Sequence, residues 1–142
     1  MSPGPSTVCE REREFLDNLA LLEDWFSQYE YLLGFAEELD PLPEGECTEE
    51  TRLGGCTAPA WMQLERTAAG TMALRGRSES LIVQAIMGLA SSMIRDAPLP
   101  EIAAWAPSFT EVPPLRRQFA ADRRKGVALM LRRIGEFARA GR

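Results

Sequence analysis

The chain contains no histidine, and that one absence removes several chemistries. Ser-His-Asp and Cys-His catalysis need an imidazole base, and histidine-containing zinc sites need an imidazole ligand. Cysteine is scarce, with three residues, Cys9, Cys47 and Cys56. An odd number does not make a disulfide framework, and a four-cysteine zinc site cannot be built within one such chain. A three-cysteine site completed by a carboxylate stays chemically open, although these spacings are not those of a zinc ribbon. No apolar run reaches the roughly 18–20 residues that cross a bilayer. The start Met-Ser-Pro-Gly-Pro-Ser lacks the basic and apolar regions of a signal peptide, so the expectation is a cytoplasmic protein with no membrane partner. Positive charge is also in deficit: 16 Lys and Arg against 21 Asp and Glu leave a net charge of −5. A pI near 4.9 argues against nucleic acid as a main partner. Local basic patches still suit an acidic protein.

At 142 residues, with 45% apolar and 26% charged side chains, the chain is long enough for one domain with its own core and too short for two. Proline, glycine and serine in the first positions read as a disordered tail over residues 1–10, leaving one domain over 11–142. Cys9 belongs to this tail or to the beginning of a helix, as an incidental exposed thiol.

From about Arg11, the residues Phe15, Leu19, Leu22, Phe26 and Tyr29 recur at spacings of three and four, one face of a helix. Trp25, Tyr29 and Tyr31 read as core aromatics. Pro41 and Pro43 end this region, and Glu44 to Glu50 form an acidic connector that holds Cys47. Trp61 to Arg66 and Thr71 to Arg75 alternate apolar and polar residues around Ala68-Ala69-Gly70, the pattern of an antiparallel hairpin. Thr51 to Gly54 is the candidate third strand. Gly76 to Ser80 leads into a helix with Ser78 as its N-cap, and Leu81 to Ile94 is apolar on most faces, a central buried helix. Pro100 suits the first position of another helix, and Ser108 to Val112 forms a short segment before Pro113-Pro114. The last helix starts near Asp122 and carries Val127, Met130, Leu131, Ile134 and Phe137 on one face. The fold class is α+β, a small antiparallel three-stranded sheet packed against helices.

The chemistry centres on Leu53-Gly54-Gly55-Cys56-Thr57-Ala58-Pro59-Ala60-Trp61. Two glycines free the backbone before the cysteine, and Pro59 removes a donor just after it, so Cys56 sits on a loop tip. Thiol chemistry needs the thiolate, which a polar, partly exposed place favours. The alternative is a small buried filler. Cys47 stands nine positions earlier, either as a surface thiol or as a resolving cysteine for oxidised Cys56.

These residues resemble the Gly-Cys-Gln-Ser-x-Val-Trp signature of the SufE family, with Gly55, Cys56 and Trp61 in place. The similarity runs from about Asp24 to about Ile134. Asp24-Trp25-Phe26-Ser27-Gln28-Tyr29-Glu30-Tyr31-Leu32-Leu33 resembles the family's Asp-Trp-x-x-Arg/Lys-Tyr-x-Tyr-Leu-Ile. Gly76-Arg77-Ser78-Glu79-Ser80-Leu81-Ile82-Val83 resembles Gly-Asp-Ser-Asp-Ala-x-Ile-Val, with Arg77 in place of an aspartate. Pro98-Leu99-Pro100-Glu101-Ile102 resembles Thr-Pro-x-Glu-Ile. Asp122-Arg123-Arg124-Lys125-Gly126 resembles Ser-Arg-Ser-Asn/Gln-Gly, which puts Arg123 on the family's arginine, while a family histidine corresponds to Gln118. Thr57, Ala58 and Ala60 depart from the signature around the cysteine.

The resemblance implies the fold of the SufE and IscU-like proteins and a sulfur acceptor in iron–sulfur cluster assembly. It is implied to be a desulfurase-activating accessory protein and not itself an enzyme. Cys56 would take sulfane sulfur as a persulfide from a cysteine desulfurase of the SufS or CsdA kind and deliver it to a SufBCD-like scaffold. Gly54, Gly55 and Arg123 would support the loop. No cofactor is expected on this chain, since the pyridoxal phosphate belongs to the desulfurase, and a homodimer remains open. A redox protein pairing Cys56 with Cys47, or a metal or cluster scaffold of similar fold, are the alternatives.

Overall fold

The computed structural model describes residues 7–54, 58–118 and 121–141, without the side chains of residues 121 and 122. Helix α1 (Val8–Ala20) begins on a capping box: the Thr7 hydroxyl accepts from the Glu10 amide at 3.0 Å, and the Glu10 carboxylate accepts from the Thr7 amide at 3.1 Å. Val8 is fully buried and its amide donates to the Glu101 carboxylate. Residues 8–10, which composition assigns to the tail, are therefore the first turn of a packed helix.

The periodicity from Phe15 to Tyr29 belongs to two helices, not one. Helix α1 ends at Ala20 with Leu21 as its C-cap, and Asp24 caps α2 (Trp25–Gly34) through its carboxylate, which accepts from the Ser27 amide at 2.8 Å and from the Ser27 hydroxyl at 2.9 Å. The new helix turns Gln28 and Leu32 into the core and leaves Trp25 50% and Phe26 61% exposed. Trp25 is thus a surface residue, stacked on Tyr29 at 5.0 Å. Tyr31 does face inward, stacked on Phe15 with ring centroids 5.6 Å apart.

After a 3₁₀ turn at Phe35–Glu38 comes β1 (Asp40–Pro41). Strands β2 (Ala60–Arg66) and β3 (Met72–Ser78) form the expected antiparallel hairpin, with Ala60 opposite Ser78 and Arg66 opposite Met72. Its turn is closed by Thr67 and Thr71, whose hydroxyls lie 2.7 Å apart, around Gly70 at φ 80°. The sheet order is β1-β3-β2, with β1 parallel to β3, so the sheet is mixed and not all antiparallel. The third strand is Asp40–Pro41 because Pro41, which cannot donate, is followed by Leu42, whose amide reaches the Gly76 carbonyl at 3.0 Å. Thr51 to Gly54 contributes only an isolated bridge, Arg52 opposite Trp61, on the free edge of β2.

Residues 76–78 continue β3, so Ser78 closes a strand, and Ser80 caps α3 (Leu81–Ile94) through the Val83 amide at 3.4 Å. Helix α3 is buried along most of its length and forms the centre of the core, as its composition predicts. It is followed by α4 (Leu99–Ala104), a 3₁₀ turn at Phe109–Glu111, α5 (Pro113–Gln118) and α6 (Ala121–Ala140). Leu99 opens α4 after Pro98 as N-cap, one position earlier than expected, and Pro100 follows where its missing amide still costs no intrahelical bond. The fold is α+β; among the described residues six helices surround a small three-stranded mixed sheet.

Candidate functional site

Gly55 and Cys56, the centre of the predicted site, lie outside the described residues; the two feet of their loop do not. The Leu53 amide donates to the Ala60 carbonyl at 2.8 Å, and the Met62 amide donates to the Thr51 carbonyl at 2.8 Å. Alongside this rung the Arg52 guanidinium stands over the Trp61 ring, 6.0 Å from its centroid. The second foot is held from the other side. The Pro59 carbonyl accepts from the Ser78 hydroxyl at 2.8 Å and from the Glu79 amide at 3.3 Å. The loop thus leaves one sheet edge and returns to it with both ends tied, one of them to the start of α3.

Helix α6 closes the back of this site. Arg123, Gly126, Val127 and Met130 join Leu53, Ala60, Val83 and Ile86 around a cavity of about 20 Å³. That is room for one small atom or group, and the largely aliphatic lining offers a water too few partners. Gly54 also faces α6, where a Cβ would meet Leu129 Cδ2 at 3.9 Å. The structure therefore brings Gly54 and Arg123 to the same side of the loop. Gln118 ends α5, and both polar atoms of its side chain are buried with no hydrogen-bond partner among the described residues.

On the solvent face of the sheet a second groove of about 420 Å³ is lined by Glu44, Cys47, Trp61, Arg77, Ser78 and Glu79. Arg77 Nε donates to the Leu42 carbonyl at 3.0 Å, so the arginine that replaces the family's aspartate ties β3 to the chain after β1. Cys47 Sγ lies 3.6 Å from the Pro43 carbonyl. That Cys47 lines one groove with Trp61 and Arg77 was invisible in the sequence, because sheet register pairs Trp61 with Arg77 and only the tertiary fold brings the Cys47 segment beside them. Cys9 is exposed in the first turn of α1. Among the described residues no three cysteine, aspartate or glutamate side chains converge on a metal site, and no helix is long and apolar enough to cross a membrane.

The profile of the SufE family, described as the Fe-S metabolism associated domain, matches residues 13–138. The chain belongs to the SufE family. This SufE chain is 25% identical over 131 residues to an uncharacterized SufE-like protein of Rhizobium etli, covering 89% of this chain and 88% of that one. It is 24% identical over 106 residues to SufE-like protein 1, chloroplastic/mitochondrial, of Arabidopsis thaliana, covering 75% of this chain but only 29% of the plant protein. In fold it is similar to a hypothetical protein from Thermus thermophilus solved in solution, with a TM-score of 0.75 and 20% identity over 92% of this chain and 95% of that one. A SufE domain ties the chain to Fe–S metabolism.

Proposed function

We propose that this SufE protein is a cytoplasmic sulfur carrier that holds sulfane sulfur as a persulfide on Cys56. In this reading it stimulates a pyridoxal-phosphate cysteine desulfurase and passes the sulfur to an iron–sulfur scaffold. The observation that carries the reading is the double tie of the loop feet, at Leu53–Ala60 and at Pro59–Ser78, beside a small apolar cavity that Arg123 also lines. Cys56 is three residues from Leu53, and three residues of chain reach about 11 Å at most, so the thiol is tethered to that neighbourhood.

The chemistry is an exchange. The Cys56 thiolate attacks the outer sulfur of the donor persulfide, the donor's sulfur–sulfur bond breaks, and the donor cysteine leaves as a thiolate. No electrons are gained or lost overall, and attack by a thiolate needs no imidazole base, which suits a chain without histidine. A free thiol with a pKa of about 8.5 is only a few per cent ionised at neutral pH, so positive charge at Arg123 favours the reactive form. The apolar walls at Leu53, Ala60 and Val127 keep water and stray thiols from the carried sulfur.

The test is an intact-mass measurement after incubation with a cysteine desulfurase and L-cysteine. The wild type gains one sulfur, about 32 mass units, and Cys56→Ser gains none. A wild type that stays unmodified with every desulfurase tried sinks the reading.

A redox reading has one observation in its favour: Cys47 shares a groove with Trp61, five positions after Cys56. It requires a Cys47–Cys56 disulfide after mild peroxide and loss of function in Cys47→Ser. The carrier reading expects Cys47→Ser to accept sulfur at the wild-type rate.

A further inference from the structure

Cys47 stands in a groove that two pieces of chain build together. The first is the 3₁₀ turn Glu44–Glu46, which the Cys47 amide closes on the Glu44 carbonyl at 3.1 Å. The second is the cross-strand pair of Trp61 and Arg77. Arg77 Nε donates to the Leu42 carbonyl at 3.0 Å, and Arg75 Nη2 lies 3.0 Å from Glu46 Oε1, so β3 holds the turn on both sides of Glu44. The groove measures about 420 Å³, within the range of small-molecule sites, and Glu79 also lines it.

The charged groups of this groove are not used up inside the fold. Among the described residues Arg77, Glu44 and Glu79 have no ion pair, whereas Arg75 and Arg95 are paired with Glu46, Glu65 and Glu38. Arg77 engages only Nε, on Leu42, and its terminal nitrogens have no partner among the described residues. The Cys47 thiol is half-buried and in no disulfide. One guanidinium, two carboxylates and a thiol thus line one volume beside the Trp61 ring. A guanidinium takes a carboxylate through paired hydrogen bonds, and a carboxylate takes an ammonium. The complement of the set is a small molecule that carries both charges close to a sulfur.

We propose that the groove is a thiolation site, in which Cys47 holds a small zwitterionic thiol of the amino-acid class as a mixed disulfide. The carboxylate of the guest lies on Arg77 and its ammonium meets Glu44 and Glu79. The co-reactant is the symmetrical disulfide of that thiol. The Cys47 thiolate attacks one of its sulfurs, the sulfur–sulfur bond of the co-reactant breaks, the bond from Cys47 to the guest forms, and the other half leaves as a thiolate that takes up the proton Cys47 gave up. One disulfide is lost and one is made, so the exchange needs no further oxidant. Ser78 lines the same groove and donates to the Pro59 carbonyl at 2.8 Å, which sets the guest against the second foot of the loop. The site stands without the sulfur-carrier reading.

The test uses the full chain with Cys56→Ser, which cannot form a Cys47–Cys56 disulfide and which keeps the exposed Cys9 as an internal reference. The probes are cystine with both charges, cystamine with the ammonium alone, dithiodipropionate with the carboxylate alone, and hydroxyethyl disulfide with neither. Mixed disulfides are followed by intact mass and assigned to Cys47 or Cys9 by peptide mass, and the ratio of the two rates cancels the reactivity of each probe. The expected ratio is about tenfold or more higher for cystine than for hydroxyethyl disulfide. Arg77→Gln removes the advantage of cystine and dithiodipropionate and leaves cystamine unchanged, while Glu44→Gln/Glu79→Gln removes that of cystine and cystamine and leaves dithiodipropionate unchanged. Equal unfolding midpoints exclude a folding defect. One ratio for every probe, or no mixed disulfide on Cys47, overturns the proposal. A change in Arg77→Gln that is the same for every probe makes the arginine a tie to Leu42 only and also overturns it, as does a preference for cystamine that Arg77→Gln does not touch. Persulfide formation on Cys56 of the wild type is measured separately, and none of these outcomes bears on it.

Discussion

Glu12 takes a carboxylate into the core, 7% exposed, and both oxygens are used there. One accepts from the Trp105 indole at 3.1 Å, and the other accepts from the Ser108 and Phe109 amides at 2.7 and 2.9 Å, capping the 3₁₀ turn that starts at Phe109. Glutamine at this position has one acceptor where three donors converge. Glu12→Gln is therefore expected to cost about 2 kcal/mol, read as a lower urea midpoint. Asp24 acts at the surface. Its bond from the Ser27 amide, with that from the Ser27 hydroxyl, lowers the carboxyl pKa below its ordinary value of 3.8. A depressed folded pKa contributes stability above the unfolded value and loses it as pH falls through the folded one. The stability gap between the wild type and Asp24→Ala should thus be full at pH 7 and shrink below about pH 4; a gap independent of pH would show that the carboxylate charge plays no part. Both residues look like ordinary helix acids in the sequence. Asp24 bonds three positions along the chain, whereas the donors to Glu12 lie almost a hundred residues away.

At the scale of elements, α3 and the 3₁₀ turn at Phe35–Glu38 make a very close approach. A Cβ built on Gly88 would lie 1.8 Å from the Phe35 carbonyl oxygen and 2.8 Å from its carbon, so the helix packs directly on backbone. Backbone cannot rotate away as a side chain can. Gly88→Ala is expected to destabilise by about 3 kcal/mol or more despite alanine's better helix propensity, measured by chemical denaturation. The sequence showed α3 as apolar nearly all round and hence buried, and that holds. It did not show why position 88 is glycine. The same limit applies to the break before α2. Apolar spacing carried through Leu22 and Phe26 as if unbroken, while one capping bond at Asp24 reset the helix and turned Phe26 outward.

Across the whole molecule, an aromatic cluster joins elements distant in the chain. Phe109 is fully buried, 6.2 Å from Phe15 of α1 edge-on and 6.4 Å from Trp105 in a stacked arrangement. Phe15 in turn meets Phe35 edge-on at 5.6 Å. Removing Phe109 opens a cavity where the first helix meets the chain after α4. Phe109→Ala is expected to cost about 4 kcal/mol and to lower the single thermal transition of the domain as a unit. Two separate transitions would mean that this cluster does not couple α1 to the rest.

The sequence by itself determined the α+β class, the β2–β3 hairpin, the buried central helix and the excluded chemistries. Each of these follows from residue types and from spacings of two, three or four positions, which act on neighbouring backbone. It also singled out the Gly54-Gly55-Cys56 stretch, because glycine and thiol chemistry are local properties. Only the tertiary structure decided that Asp40–Pro41 and not Thr51 to Gly54 completes the sheet, that Trp25 faces solvent, and that Arg123 shares a cavity with Leu53 and Ala60. Those outcomes depend on which distant surfaces fit together best, and a single chain of letters does not show the competing fits.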